Sequence, residues 1–111
     1  MSKIIKIAVD AMGGDNSPKK IIDGINHHYK SNKNTFYQIF GDKEKIENYV
    51  NNHLPTSSFE IIHTKDIVKG TDSPLEGAKR GKNTSMWLAI QSVKEKKSDI
   101  VISAGNTGAL L

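Results

Sequence analysis

Apolar residues recur along this chain in two alternating rhythms, and the alternation sets out its elements. Ile4 to Val9 form an apolar-rich run that closes on Asp10, the pattern of a strand. After the turn Ala11 to Pro18 the apolar positions return at helical spacing, as Ile21, Ile22, Ile25 and Tyr29. Ser17 is the expected N-cap of that helix and Pro18 its first residue. The stripe fades in the polar tract Ser31 to Asn34. Phe36 to Phe40 predict a second strand and Gly41-Asp42 a turn. Asp42 then caps a helix with Ile46, Tyr49 and Val50 on one face, closed by Pro55. Phe59 to His63 predict a third strand, followed by a loop from Thr64 to Asp72. Ser73-Pro74-Leu75-Glu76 is a capping box with proline at the first helical position, so another helix begins there. Gly81 breaks or ends it. Thr84 or Ser85 restarts it, with Met86, Ala89, Ile90 and Val93 as the stripe, and Lys94 to Lys97 close it. Ile100, Val101 and Ile102 read as a parallel strand buried on both faces. Small and polar residues from Ser103 to Gly108 follow, and Ala109-Leu110-Leu111 read as the first turn of a further helix.

Strands that alternate with helices predict an α/β fold: a mostly parallel sheet with helices on both faces. The pattern stops about one turn into a helix, so residues 1–111 are expected to be the N-terminal part of a larger α/β/α fold. In such sheets ligands bind in the crevice beyond the carboxyl ends of the strands. The turn Asp10 to Asp15, the loop Lys69 to Ser73 and the turn Ser103 to Gly108 all fall on that edge.

Composition narrows the class. The 111 residues contain no cysteine, which excludes disulfides and thiolate metal sites from this stretch. No run of 18 apolar residues occurs, Met1-Ser2-Lys3 passes directly into a strand, and mean hydropathy is -0.48, so a soluble cytoplasmic protein is expected. The net charge of +4 is mild and spread out, and aromatic residues make up only 6%. That argues against a nucleic-acid platform and for a small anion or an acidic protein as partner. Arg80 is the one arginine among sixteen basic residues.

Three stretches can carry chemistry. Ser103 to Gly108 joins a strand to a helix start, where glycine permits close approach and free N–H groups favour an anion. It lacks the glycine signatures of dinucleotide folds and P-loops. The same small residues would serve a tight turn, although Ser103, Asn106 and Thr107 supply more hydrogen-bonding groups than a turn requires. In the second stretch, Gly13-Gly14-Asp15, a flexible turn is the alternative. Asp10 and Asp15 can orient a basic side chain, cap a helix or hold a metal, and two aspartates five apart are thin support for the last. The third, Lys79-Arg80-Gly81-Lys82, is either a solvated helix face or a phosphate clamp, for which the guanidinium fork of Arg80 is suited. His27, His28, His53 and His63 show no metal-ligand spacing and read as structural or surface residues. Asn83-Thr84-Ser85 matches a glycosylation sequon, which a cytoplasmic chain would not use.

VDAMGGD (Val9 to Asp15), SPLEGAKRGKNTSM (Ser73 to Met86) and VISAGNTGAL (Val101 to Leu110), in this order, resemble the PlsX family of phosphate acyltransferases of bacterial phospholipid synthesis. The resemblance covers the whole chain, which would be about the first third of a family member. It departs from the family pattern at Gly81 and at Asn83-Thr84-Ser85, where the family reads Asp-Ser-Ser. The resemblance implies a fold like that of phosphotransacetylases and isopropylmalate dehydrogenase. It implies transfer of a fatty acyl group from acyl carrier protein to inorganic phosphate, with no cofactor. The acyl phosphate would feed a glycerol-3-phosphate acyltransferase at the membrane. A cytoplasmic homodimer, loosely membrane-associated when full length, is implied as well. Carried onto this sequence, Asp10, Gly13, Gly14 and Asp15 fall in a first active-site loop, Arg80, Lys82 and Ser85 in a second, and Ser103, Gly105, Asn106, Thr107 and Gly108 in a third. Two alternatives stand beside this: a decarboxylating dehydrogenase of the same fold, and a non-catalytic basic module that docks an acidic protein.

Overall fold

The computed structural model describes residues 3–14, 16–50, 54–64 and 84–103. Four strands, β1 (Ile5–Asp10), β2 (Thr35–Gly41), β3 (Phe59–His63) and β4 (Ile100–Ser103), form one sheet in the order β3-β2-β1-β4. Every pairing is parallel, with Ile7 opposite Tyr37 on one side and Ile100 on the other. Among the described residues three helices accompany them, α1 (Lys19–Ser31), α2 (Lys43–Val50) and α3 (Ser85–Lys94), with a 3-10 turn at Thr56–Ser58. The α/β class and the all-parallel sheet are as the alternating pattern predicts.

Both crossovers that step from β1 towards β3 set their helices, α1 and α2, on one face. There Ile22, Ile25, Ile46 and Val50 pack with Ile7, Val9, Tyr37 and Ile39. The connection that runs back past β1 to β4 sets α3 on the opposite face, where Ala89 packs with Ala8 and Phe40, flanked by Leu88, Val93 and Val101. A reversal of direction with a change of face is what a single crossover hand requires. Tyr37 is 2% exposed, and burial pushes its phenol above the ordinary value of 10.0. Its hydroxyl lies 2.6 Å from Nδ1 of His28.

Two expectations need correction. Ser17 does not cap α1: its hydroxyl donates to the carbonyl oxygen of Gly13, and the helix starts at Lys19 with Pro18 at the cap position and no side-chain cap bond. The first turn is closed by backbone bonds instead, Lys20 N–H to Asn16 at 3.0 Å and Ile22 N–H to Pro18 at 3.0 Å. Nor is β4 buried on both faces. Ile100 and Ile102 are 49% and 47% exposed, and only Val101 packs against the α3 side. β4 is an edge of the described sheet, and α1 lies over β1 and β2 rather than over β4.

Other local readings hold. Thr84 caps α3, its Oγ1 accepting from Trp87 N–H at 3.1 Å. Asp42 Oδ1 accepts from Glu44 N–H at 3.2 Å at the start of α2. In the α3 stripe Met86 and Ala89 are buried, joined by Ser85 and Ser92 rather than by Ile90. The capping box at Ser73, the break at Gly81 and the helix start at Ala109 lie outside the described residues.

Candidate functional site

Asp10 is the last residue of β1, and parallel topology brings the start of α3 and the end of β4 to the same edge of the sheet. The Asp10 side chain is 1% exposed and turned inward. Oδ1 accepts from the backbone N–H of Met12 at 3.1 Å and of Gly13 at 3.2 Å, and from the Ser85 hydroxyl at 2.5 Å. Oδ2 accepts from the Ser103 hydroxyl at 2.7 Å. One carboxylate thus ties together the ends of β1, α3 and β4, joining residues 75 and 93 positions apart. Four donors on a sealed carboxylate repay its loss of water. Ser85, the first residue of α3, is also 1% exposed, whereas Ser103 is half-buried.

The three motif stretches therefore meet as far as the described residues reach. Asp10, Gly13, Ser85 and Ser103 form one hydrogen-bonded cluster, and Gly14 follows with a φ of 83°, which suits glycine. Asp15, Arg80, Lys82, Gly105, Asn106, Thr107 and Gly108 lie outside the described residues. The sequence leaves Asp10 to orient a basic side chain, cap a helix or hold a metal; among the described residues its partners are instead two serine hydroxyls and two backbone N–H groups. Among the described residues, no group of three or more His, Cys, Asp or Glu side chains is placed to hold a metal ion.

Two supports, one at this carboxyl edge and one at the amino end of β4, are hard to read from sequence. Gly41 ends β2 beside the first loop, and a Cβ there would lie 2.7 Å from Met12 Cγ, 2.9 Å from its Sδ and 3.0 Å from Ile46 Cδ1. Gly41→Ala is expected to destabilise the protein by about 1–3 kcal/mol through overpacking and to displace the loop that Met12 begins. Equilibrium denaturation checks this, and an unchanged midpoint would mean that Met12 moves aside at no cost. The second support anchors β4. Ser92 and Ser98, both 6% exposed, have hydroxyls 2.6 Å apart, so that Ser92 donates to Ser98 and Ser98 donates to Oε1 of Gln38 on β2, which also lies 3.2 Å from the Ser92 hydroxyl. Lys6 N–H meets Asp99 Oδ2 at 2.8 Å, and Asp99 N–H meets the Lys6 carbonyl at 2.7 Å. The polar Gln38 at a sheet-centre position is the signal that marks this network.

The parallel α/β layer with motifs gathered at the carboxyl edge defines a class, and sequence comparison supplies the family. Residues 5–111 match the family described as fatty acid synthesis protein, and the chain belongs to it. A phosphate acyltransferase of Pelagibacter ubique (strain HTCC1062) is 95% identical over 111 residues, 100% of this chain and 33% of that protein. A phosphate acyltransferase of Streptococcus uberis (strain ATCC BAA-854 / 0140J) is 48% identical over 106 residues, 96% of this chain and 31% of that protein. One from Streptococcus thermophilus (strain CNRZ 1066) is 46% identical over 105 residues, covering 95% and 30%. The chain thus spans about a third of the length of these relatives. Among the described residues, no helix is long and apolar enough to cross a membrane.

Proposed function

We propose that the protein carrying this stretch is an acyltransferase that moves a fatty acyl group from acyl carrier protein to inorganic phosphate, and that this stretch supplies part of its phosphate site. The observation that carries the reading is the meeting of the three motif stretches on Asp10, in a chain 95% identical to a protein named phosphate acyltransferase. The stretch Ser103 to Gly108 would hold phosphate or the thioester carbonyl by backbone N–H groups, and Arg80 would neutralise the anion. The acyl phosphate formed would be consumed by a glycerol-3-phosphate acyltransferase at the membrane. An acidic carrier protein suits a stretch with a net charge of +4. The working enzyme would be a cytoplasmic homodimer, peripherally membrane-associated.

The chemistry asks little of a nucleophile. Phosphate is already an anion at neutral pH, so one of its oxygens attacks the thioester carbonyl carbon. The carbon–sulfur bond then breaks, and the leaving thiolate takes up the proton that phosphate brought. The protein has to desolvate and align the reactants and to stabilise the oxyanion. Direct attack forms no acyl-enzyme on this stretch, where Ser85 and Ser103, both donating to Asp10, are the candidates by position. Incubation with labelled acyl carrier protein thioester without phosphate should leave both serines unlabelled. A stable label on either one, chased off by phosphate, would replace direct attack with a two-step route.

The reading is tested by supplying the full-length protein with phosphate and acyl carrier protein thioester and trapping acyl phosphate with hydroxylamine. Hydroxamate that forms only when phosphate is present supports it, and none under any condition refutes it. Within that assay Arg80→Lys keeps the charge but loses the two-pronged donor. The Michaelis constant for phosphate is expected to rise by about tenfold or more, which is roughly 1.4 kcal/mol. An unchanged constant would return Arg80 to a solvated helix face.

A further inference from the structure

An apolar groove runs between α1 and the uncovered face of β4. Ile102 of β4, Ile7 and Val9 of β1, and Ile21 and Ile25 of α1 wall a cavity of about 350 Å3. One end lies at the carboxyl edge of the sheet, where Lys20 opens α1 and Ile102 pairs with Val9. His28 and Tyr37, joined at 2.6 Å, close the other end. Between Lys20 and His28 the helix rises about 12 Å. Ile100, two residues back on the face of Ile102, is 49% exposed and extends the apolar surface along β4. Gly24 lies in the middle of α1 on the wall of this cavity, and a Cβ added there would meet no heavy atom within 4 Å. A glycine inside a helix lowers its stability, and no packed neighbour calls for this one. What the missing side chain leaves is room.

We propose that this groove seats the fatty acyl chain of the thioester, with the carbonyl at the carboxyl edge and the tail towards His28 and Tyr37, and that Gly24 sets how much of the chain is admitted. The assignment rests on the acyl-transfer reading above. Phosphate and the thioester group are polar, and the acyl chain is the part of the reactants that gains from an aliphatic lining. The entrance suits it as well, because Ile102 directly precedes Ser103, whose hydroxyl is bonded to Asp10. A strand added outside β4 would leave the groove open. By the crossover hand that puts α3 on the opposite face, its connecting helix would lie on that opposite face too.

The test uses the full-length protein in the hydroxylamine assay, with butanoyl and palmitoyl thioesters of acyl carrier protein compared and the binding of palmitate measured alongside. Gly24→Leu sends a side chain from α1 into the groove. Each methylene kept out of an apolar site costs about fourfold, so the palmitoyl-to-butanoyl ratio of kcat/KM should fall by at least about tenfold. The dissociation constant for palmitate should rise in step. Ile102→Phe narrows the groove from the opposite wall, at a position 47% exposed, and it should lower the same ratio if Gly24→Leu does not fold. Gly24→Ala should keep the thermal midpoint at or above that of the wild type, since alanine favours helix and meets nothing there. A midpoint lowered by Gly24→Ala would mean that polypeptide, from the remainder of the protein or a second copy, fills the groove, and the proposal would fall. It falls equally if the chain-length ratio and palmitate affinity are unchanged in the variants that fold while the wild type makes acyl phosphate. Absence of acyl phosphate from the wild type on both thioesters refutes the reaction instead, and palmitate binding by wild type and Gly24→Leu then decides the groove on its own.

Discussion

Replacing Asp10 with alanine in the full-length protein is expected to lower the unfolding free energy by roughly 3–5 kcal/mol. The carboxylate accepts four hydrogen bonds while 1% exposed, and its loss strands two backbone N–H groups and two hydroxyls. A hydroxyl can rotate towards another acceptor. The N–H groups of Met12 and Gly13 are held by the backbone, and each orphaned buried donor costs about 1–3 kcal/mol. The midpoint of denaturant unfolding should therefore fall with little change in slope. Turnover should fall further than the folded fraction does, because the ends of β1, α3 and β4 lose their common anchor. A midpoint within experimental error of the wild type would show that these three ends are held by something other than the carboxylate.

The second large effect is expected at Gly105, which lies outside the described residues and follows β4 by two positions. If backbone N–H groups there hold the phosphate or the developing oxyanion, a valine side chain keeps the anion at a distance. Removing even one such donor costs about a hundredfold or more in turnover elsewhere. Gly105→Val is accordingly expected to abolish activity while the thermal transition stays near that of the wild type. Retention of wild-type activity would mark Gly105-Asn106-Thr107-Gly108 as a turn chosen for its small residues.

What the sequence makes legible here follows the range of the forces involved. β3 is found at Phe59–His63 as its apolar run predicts, and Thr84 and Asp42 cap their helices, because these features are decided within a few residues. Ser17 shows how a local rule loses to a local competitor. Its hydroxyl is a fit cap for α1, yet the tight turn after Gly13 brings a carbonyl oxygen closer to hand. Ile100 to Ile102 fail for a different reason. A run of β-branched residues specifies a strand, but whether both faces are covered depends on the strand's place in the sheet, which no window of a few residues contains. The site divides in the same way. Gly13, Ser85 and Ser103 are marked by motif, whereas the inward turn of Asp10 is a property of three converging elements. The clash waiting at Gly41 needs Met12, 29 positions earlier, and so has no local signature.

The sheet order also sets a timetable for synthesis. β1 lies between β2 and β4, and its Ile7 pairs with Tyr37 on one side and Ile100 on the other. One flank of the central strand can be satisfied early. The other waits until a partner 93 residues later has left the ribosome, since Lys6 and Asp99, like Asp10 and Ser103, are that far apart. At ordinary rates of translation that wait is about 5–20 seconds, long compared with the microseconds in which a helix such as α1 forms. Throughout it β1 presents an unpaired parallel edge with Ile5 and Ile7 beside it, the kind of edge on which nascent chains associate. The polar, lysine-bearing ends of β1 and of the turn before β4, Lys3, Lys6, Lys96 and Lys97, stand where they oppose such pairing until β4 arrives.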